Sequence, residues 1–512
     1  MKTIGICLLV IGGFIFLGLS VHWHFNDWQI FDWILIIFNI GAGVYLIRLK
    51  KVNNLNSIEA GKIEAGHFLP LDLLEVYSGK PSPVNIDKNK EIIQRTLHDF
   101  GIEVTMGDVN IGPRVTQYTL EPADGVKFDQ IAVRRNDISI ELAAHPIRIE
   151  APIPGKSIVG LEIPNKIVAT VSLRDILENE EFKKSHSNLT LALGRDVTGR
   201  AVTSDLKQIP HILIAGATGS GKSVFINSMI LSLLYQNSPK DLRLILDDAK
   251  RVEFTHYNGI PYLLSPVIFD VDKTVLALRW LTAEMDRRFH ILAENHRKNI
   301  DDYNQNKPID KMPHIVMFVD EMADVMAQVG KECESAIVRL AKMSRAVGIH
   351  LVMATARPSN DVITDKIKAV IPGRIAFAVA SQIDSQRIID TIGAERLLGG
   401  GDMLYRTNES GYFKRVQAPM VTDKEVDKVT DFLKTKSLYT ASDLGIDESL
   451  EDELYSDARE VAVTSKKAST ALLQRRLKVG YARAARLLDM LEKEGVIGPA
   501  DGAKPRDVLV NK

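Results

Sequence analysis

The chain has 512 residues, 64 of them Lys or Arg and 65 Asp or Glu, for a formal net charge of -1. That balance excludes a uniformly basic nucleic-acid coat or an acidic disordered tail as a description of the whole, so any basic surface is local. With 45% hydrophobic and 25% charged residues the chain has ordinary globular composition, and its length predicts about three domains; two cysteines, Cys7 and Cys333, exclude a disulfide framework and a four-ligand zinc site, and the bulk of the chain reads as cytosolic.

Thr3 to Val21 carries no charge, and at ~1.5 Å per residue its ~19 residues span about 28 Å, close to a bilayer's hydrocarbon core. A second apolar run, Trp33 to Leu49, follows Asp32. The polar, aromatic connection holds no Lys or Arg, whereas Lys2 precedes the first run, Arg48 stands at the end of the second, and Lys50 and Lys51 follow it. The positive-inside rule places both ends in the cytoplasm, with Trp23 and Trp28 near the outer interface. No A-x-A-like site follows the first run, so the pair reads as a two-helix membrane anchor (1–51) rather than a cleaved signal peptide. Residues 52–87 then read as a short tether.

From Lys88, a helix-like segment leads to alternating stretches, RVTQYTL and DISIELAA, which predict a small α+β domain over 88–205. From Pro210, the apolar runs HILIAG, LRLIL, HIVMFVD, HLVMATA and RIAFAV alternate with helical patterns, which predicts a parallel α/β sheet over 206–437. An acidic linker (438–452) precedes a basic unit at 453–512. There, a helical run from Lys467 to Leu477, a turn at Gly480, a second helix from Ala482 to Glu494 and a hairpin-like tail read as a winged helix-turn-helix. Between Ser465 and Leu488 lie seven basic residues (Lys466, Lys467, Arg475, Arg476, Lys478, Arg483, Arg486) and no acid, a local face suited to phosphates. With Lys504 and Arg506 in the wing, Arg475, Arg476, Lys478, Arg483 and Arg486 are the candidate DNA contacts. A solvated helix pair or a protein-binding winged helix is the competing reading.

The chemistry sits in the middle. Gly216-Ala217-Thr218-Gly219-Ser220-Gly221-Lys222-Ser223, followed by Val224, fits G-x-x-x-x-G-K-[ST] between an apolar strand and a helix. Glycines let backbone N–H groups wrap phosphates, and the helix N-terminus adds its dipole. Lys222 would neutralise the β- and γ-phosphates and Ser223 would hold Mg2+. Ile315 to Val319 followed by Asp320-Glu321 reads as the partner acid strand: Asp320 faces the metal, and Glu321 orients the attacking water. Together they predict hydrolysis of a nucleoside triphosphate. Ring-forming motors complete such sites with an arginine from the next subunit; spacing alone leaves Arg345, Arg357, Arg374 and Arg387 open.

These residues together resemble the FtsK/SpoIIIE family of membrane-anchored DNA translocases over about residues 86–512. The resemblance is carried by Ala151-Pro-Ile-Pro-Gly-Lys156, Val159-Gly-Leu-Glu-Ile-Pro-Asn165, Pro210 through Val224, Val319-Asp-Glu-Met-Ala-Asp324, Ile349 through Ser359, Asp361-Val-Ile-Thr364, Ile371-Pro-Gly-Arg-Ile-Ala-Phe377, Asp384-Ser385, Gly401-Asp-Met-Leu404 and Gly480-Tyr481 with Arg483-Ala-Ala-Arg486. It implies a RecA-like P-loop ATPase domain using ATP and Mg2+, and a homo-hexamer that pumps double-stranded DNA. It implies a place at the septum in the cytoplasmic membrane, in contact with division proteins. It also implies a winged helix that reads DNA orientation, with Arg486 at the base-reading position and Arg483 its neighbour, and that contacts a Xer-type recombinase. By position it selects Arg374 as the arginine acting in the neighbour's site.

The chain departs from the family pattern at four places. Ala356 stands where Gln is usual, Asp247-Asp248-Ala249-Lys250 where a hydrophobic residue precedes Asp-Pro-Lys, and Ala482 where Asn is frequent; two spans replace four. A methyl at Ala482 cannot make a bidentate contact to adenine. Two other readings stay open: a coupling or secretion ATPase moving nucleoprotein or protein, and a septal tether with an impaired motor.

Overall fold

The computed structural model describes residues 69–77, 79–83, 85–307, 310–406, 412–436, 455–477, 479–493, 495–499 and 505–509. The two apolar runs expected to form the anchor lie outside the described residues. Among the described residues no helix is long and apolar enough to cross a membrane.

Helix α1 (Ile86–Asp99) opens the first module, capped by Asn85 Oδ1, which accepts from Lys88 N–H at 3.2 Å. Its buried Ile93 and Leu97 lie one turn apart and face a sheet of β1 (Val104–Ile111), β2 (Val115–Pro122), β3 (Arg148–Glu150) and β4 (Val159–Pro164), ordered β1-β2-β4-β3 and antiparallel throughout. Between β2 and β3 run α2 (Phe128–Val133) and α3 (Arg135–Glu141). The alternation in DISIELAA predicts a strand there, and the structure has a helix. Ile138 is buried while Ile140, two positions on, is 76% exposed, so the two do not share a face as a strand would require. Ile131 of α2 and Ile138 of α3 each reach the core of this module.

The second sheet has nine strands. Short helices α4 (Leu173–Leu177) and α5 (Glu180–Lys183) lead to β5 (Thr190–Asp196), β6 (Ala201–Asp205) and β7 (His211–Ala215); α6 (Lys222–Leu234), β8 (Leu242–Asp247), α7 (Val271–Glu294), α8 (Ile300–Asn306), β9 (His314–Val319), α9 (Met322–Met343), β10 (Ile349–Thr355), α10 (Asp365–Val370), β11 (Gly373–Phe377), α11 (Gln382–Ile389), β12 (Asp402–Arg406), β13 (Phe413–Gln417) and α12 (Asp423–Lys436) follow. The order is β6-β5-β13-β12-β11-β7-β10-β9-β8. The five strands from β11 to β8 are parallel, and each was an apolar run in the sequence. Both faces are covered: Ile212 and Ile214 join one apolar cluster, Leu213 and Ala215 the other.

Two features differ from the sequence expectation. The sheet is not wholly parallel, because β12, β13, β5 and β6 extend it antiparallel. Strands β5 and β6, which fall in the stretch assigned to the small module, belong to this sheet, since Leu191 and Leu193 pack in the same cluster as Phe225 and Ile230 of α6. Residues 69–77, inside the expected tether, also pack there. Leu69 and Leu74 are buried in that cluster, Pro70 C=O accepts from Tyr235 Oη at 3.1 Å, and Glu75 N–H donates to Glu425 at 2.9 Å.

The last unit holds α13 (Tyr455–Ser465), β14 (Lys467–Ala468), α14 (Thr470–Leu477), α15 (Tyr481–Lys493) and β15 (Arg506–Asp507), with β14 and β15 antiparallel. Three helices and a two-stranded wing make a winged helix around Leu473, Leu487, Leu491 and Ile497. Helix α13 lies inside the unit expected at 453–512 but ahead of the first helix expected there, which starts at Lys467. Its buried side chains are Tyr455, Ala458 and Ala462, so its apolar stripe is made mostly of alanine and gives a faint signal.

Candidate nucleotide site

Strand β7 is central, between β11 and β10, and the loop Gly216 to Gly221 leaves its C-terminal end. Gly219 (φ 76°) and Gly221 (φ 109°) take left-handed conformations that L side chains rarely adopt. Gly216 has no room for a side chain: a Cβ there would lie 2.6 Å from Phe377 Cβ. Ala217 N–H is tied to Ala378 C=O at 2.8 Å, and Ser220 C=O accepts from Gly401 N–H at 2.8 Å. Gly221 then caps α6 at its N-terminus. The loop is thus pinned from outside, as a phosphate cradle requires.

Lys222 is 8% exposed and donates to Gly216 C=O at 2.7 Å and Ala217 C=O at 3.1 Å. Burial lowers its pKa, and the nearby Glu321 and Asp320 oppose that shift. Ser220 Oγ is buried with no partner inside the loop. An unsatisfied hydroxyl, a curled backbone and a buried cation fit a phosphate-bearing ligand.

The acids arrive on the neighbouring strands. Asp320 follows β9 and its N–H donates to Asp247 C=O at 3.0 Å. Burial, and then Glu253, push the Asp320 carboxyl up to about 6. Glu321 is fixed on three sides: Thr355 Oγ1 donates at 2.6 Å, Ala356 N–H at 3.1 Å and Lys250 Nζ at 3.1 Å. Burial would raise its pKa, but the hydrogen bonds from Thr355, Lys250 and Ala356 outweigh it and hold the carboxyl below its usual value. At neutral pH Glu321 is a positioned, ionised carboxylate.

The departures acquire locations. Ala356 still serves Glu321 through its backbone N–H, and Thr355 supplies the side-chain contact. Asp247 ends β8 and is 2% exposed; burial, with Asp248 and Asp320 adding and the Thr274 hydrogen bond opposing, pushes it to about 7. Asp248 Oδ2 caps the next turn, accepting from Glu253 N–H at 2.8 Å and Phe254 N–H at 2.9 Å. In the sequence Lys250 is only the last residue of the departing segment Asp247–Lys250. Its role follows from the chain crossing from β8 toward the end of β9, which spacing does not reveal.

The arginines divide. Arg374, on β11, is 8% exposed, ion-paired with Asp390, and its Nη2 donates to Lys368 C=O at 2.8 Å. Arg345 donates to Lys207 C=O at 3.0 Å, Arg357 lies 3.7 Å from Asp361, and Arg387 lies 3.6 Å from Asp365. In the winged helix Arg475 and Arg476 are exposed in the last turn of α14. Arg506 instead turns back onto Glu492 and, at 3.6 Å, Asp489, and its side chain is only 16% exposed, so within the chain its charge is already matched. The helix α15 carries Arg483 and Arg486, whose side chains lie outside the described residues, as do Lys478 and Lys504.

Residues 172–360 match the FtsK/SpoIIIE family model, 69–165 the FtsK alpha domain and 449–511 the Ftsk gamma domain. The chain is 46% identical over 465 residues to the DNA translocase FtsK of Clostridium acetobutylicum, covering 87% of this chain and 60% of that one. It is 45% identical over 482 residues to the DNA translocase FtsK of Staphylococcus aureus (strain Mu50), covering 90% and 61%. Among solved structures, the pCW3 conjugation coupling protein TcpA in its monomer form aligns with a TM-score of 0.49 and 23% identity, over 69% of this chain and 100% of its own. The chain therefore spans about 60% of the length of these curated relatives.

Proposed function

The chain belongs to the FtsK/SpoIIIE family, and from that premise we propose that it is an ATP-driven motor that moves double-stranded DNA through a homo-hexameric ring. In this reading residues 1–51 anchor it in the cytoplasmic membrane at the division septum, 88–205 and 206–437 form the ring, and 453–512 read DNA orientation. Division proteins and a Xer-type recombinase are its proposed partners. The observation that carries the reading is the grip on Glu321, which leaves an ionised base beside Lys222 and Asp320 at one end of the sheet. A decayed motor has no need for such a carboxylate.

The mechanism follows from the side chains. ATP's phosphates would lie along the Gly216–Gly221 backbone, with the helix α6 dipole favouring their charge. Lys222 would exchange the carbonyls of Gly216 and Ala217 for phosphate oxygens. Ser223 and Asp320 would hold Mg2+, which when bound supplies charge neutralisation between the β- and γ-phosphates. Glu321 would orient a water in line with the γ-phosphorus and accept its proton as the water oxygen bonds to phosphorus and the bond to the β–γ bridging oxygen breaks, leaving ADP and phosphate. Arg374 stabilises the neighbour's transferring phosphoryl group once it has left Asp390. Arg475, Arg476, Lys478, Arg483, Arg486 and Lys504 would supply the DNA contacts, and Ala482 would relax the base choice at its position.

The test is ATP hydrolysis by the full chain with and without long duplex DNA, alongside Lys222→Ala. DNA-stimulated turnover that the variant loses supports the reading. Stimulation by a protein substrate instead of DNA would favour a secretion ATPase.

A further inference from the structure

The loop Gly399–Gly401 touches both the phosphate loop and the four-stranded sheet. On one side Gly401 N–H donates to Ser220 C=O at 2.8 Å, and a Cβ on Gly221 would lie 2.5 Å from Gly401 N, so the two backbones are in direct contact. On the other side the Arg114 guanidinium donates to Gly399 C=O, and a Cβ on Gly400 would meet Arg114 Nη2 at 2.8 Å. All three glycines have positive φ (71°, 54° and 93°), and none has a side chain to pack. Hydrogen bonds therefore set where the loop sits.

Those bonds come from few places. Asp402, at the loop's C-terminal end, is held by Arg415 through contacts of 3.0 and 2.6 Å, and Arg415 also reaches Glu162 of β4 at 2.7 Å. Gly400 C=O accepts from Gln417 Nε2 at 3.0 Å, Gly401 C=O from Ala418 N–H at 2.8 Å, and Gly399 C=O, besides Arg114, from Asp402 N–H at 3.2 Å. Arg114 sits in the turn between β1 and β2, which is fixed in its turn. Asn165 N–H donates to Arg114 C=O at 2.8 Å, Asn165 Nδ2 donates to Gly112 C=O at 2.8 Å, and a Cβ on Gly112 would meet Val197 C=O at 2.7 Å.

We propose that Arg114 is a positioning residue for the nucleotide site: it holds the Gly399–Gly401 loop against Ser220 and Gly221, so that the stance of the four-stranded sheet is felt as nucleotide affinity. Ser220 C=O is held by a donor from outside the phosphate loop. Gly401 is that donor, and Arg114 keeps the triglycine from drifting among the many conformations open to it. The inference rests on the reading of Gly216 to Ser223 as a nucleotide site.

The experiment measures binding of a fluorescent, slowly hydrolysed ATP analogue and steady-state ATP hydrolysis by the full chain. Arg114→Ala, Arg114→Lys and Gly400→Ala are compared with the parent chain, with thermal melting alongside. Arg114→Ala is expected to bind the analogue about tenfold more weakly, as loss of one charged hydrogen bond implies. KM for ATP rises in step, kcat at saturation changes by less than about twofold, and Arg114→Lys, which still donates to Gly399 C=O, recovers most of the affinity. Gly400→Ala, which crowds the guanidinium from the other side, shows the same defect without removing the cation. Unchanged affinity in Arg114→Ala, or in Gly400→Ala should the first variant not fold, overturns the proposal. So does a loss of kcat at constant KM, or an affinity loss that Arg114→Lys fails to recover. If the parent chain binds the analogue but hydrolyses no ATP, the proposed function fails while the affinity comparison still decides the role of Arg114.

Discussion

Thr355 Oγ1 donates a 2.6 Å hydrogen bond to Glu321 Oε1, one position before the alanine that departs from the family pattern. The contact is buried, and Thr355 Oγ1 is also positioned by Arg357 N–H, which donates to it at 3.1 Å. The carboxylate is therefore oriented by the residue before Ala356 and by the backbone of Ala356, with no side chain required at that position.

Thr355→Val keeps the shape and removes the donor. Turnover at saturating ATP should fall about tenfold, the effect of a hydrogen bond of roughly 1.5 kcal/mol to a charged group, with nucleotide affinity unchanged. Ala356→Gln should alter turnover far less. Equal kinetics for Thr355→Val and the parent chain would remove Thr355 from the account.

Arg374 and Asp390 allow a paired test. If Arg374 acts in the neighbour's site, Arg374→Ala abolishes turnover while nucleotide still binds, whereas Asp390→Ala frees the guanidinium and keeps turnover. If Arg374, Asp390 and Lys368 form only a structural cluster, both variants lose stability and activity together. Steady-state rates and melting temperatures of the two variants decide between these outcomes.

Arg415 is 5% exposed at its side chain between Glu162 (0%) and Asp402 (3%), and the two carboxylates hold its pKa above the usual arginine value although burial works the other way. Arg415→Leu leaves Asp402 buried without its cation and Glu162 with Arg148 alone. A loss on the order of 3–5 kcal/mol in unfolding free energy is expected by urea titration, with the junction between the small and large sheets failing first.

Beneath the opposite end of the large sheet lie His211, His314 and His350, the latter two with ring centroids 5.7 Å apart. Burial lowers all three pKa values, that of His211 to about 4. A lowered histidine is neutral in the fold and takes up a proton on unfolding below about 6.5, so its stabilisation is complete above that pH and is lost as pH falls. His211 alone contributes on the order of 3 kcal/mol to this loss by pH 4. Asp247 and Asp320, raised to about 7 and about 6, act in the opposite sense over the same range, so the histidine contribution is read as the stability of the parent chain relative to His211→Gln; that difference should fall between pH 6.5 and 4.5, and a constant difference would contradict the burial of this ring.

Much of this was legible in the sequence because the signals were local. Each parallel strand was a continuous apolar run, and the phosphate loop, Asp320 and Glu321 declared themselves by spacing. What escaped depended on partners distant in sequence. Strand β5 looks like any alternating segment until β13 lies beside it, and the stretch from Leu69 to Glu75 looks like a tether until Tyr235 and Glu425 meet it. Helix α13 hid because its core face is largely alanine. Lys250 and Arg114 carry no motif of their own, and only the folded chain brings one to Glu321 and the other to Gly399.

The central claim is that the grip on Glu321 belongs to a working, DNA-driven ATPase. The direct measurement is the ATP hydrolysis rate of the full chain with and without long duplex DNA, next to Lys222→Ala and Glu321→Gln. The account predicts strong stimulation by duplex in the parent chain, loss of turnover in both variants, and retained nucleotide binding in Glu321→Gln. A parent chain that binds nucleotide and duplex DNA yet hydrolyses ATP no faster with DNA than without it would contradict the account.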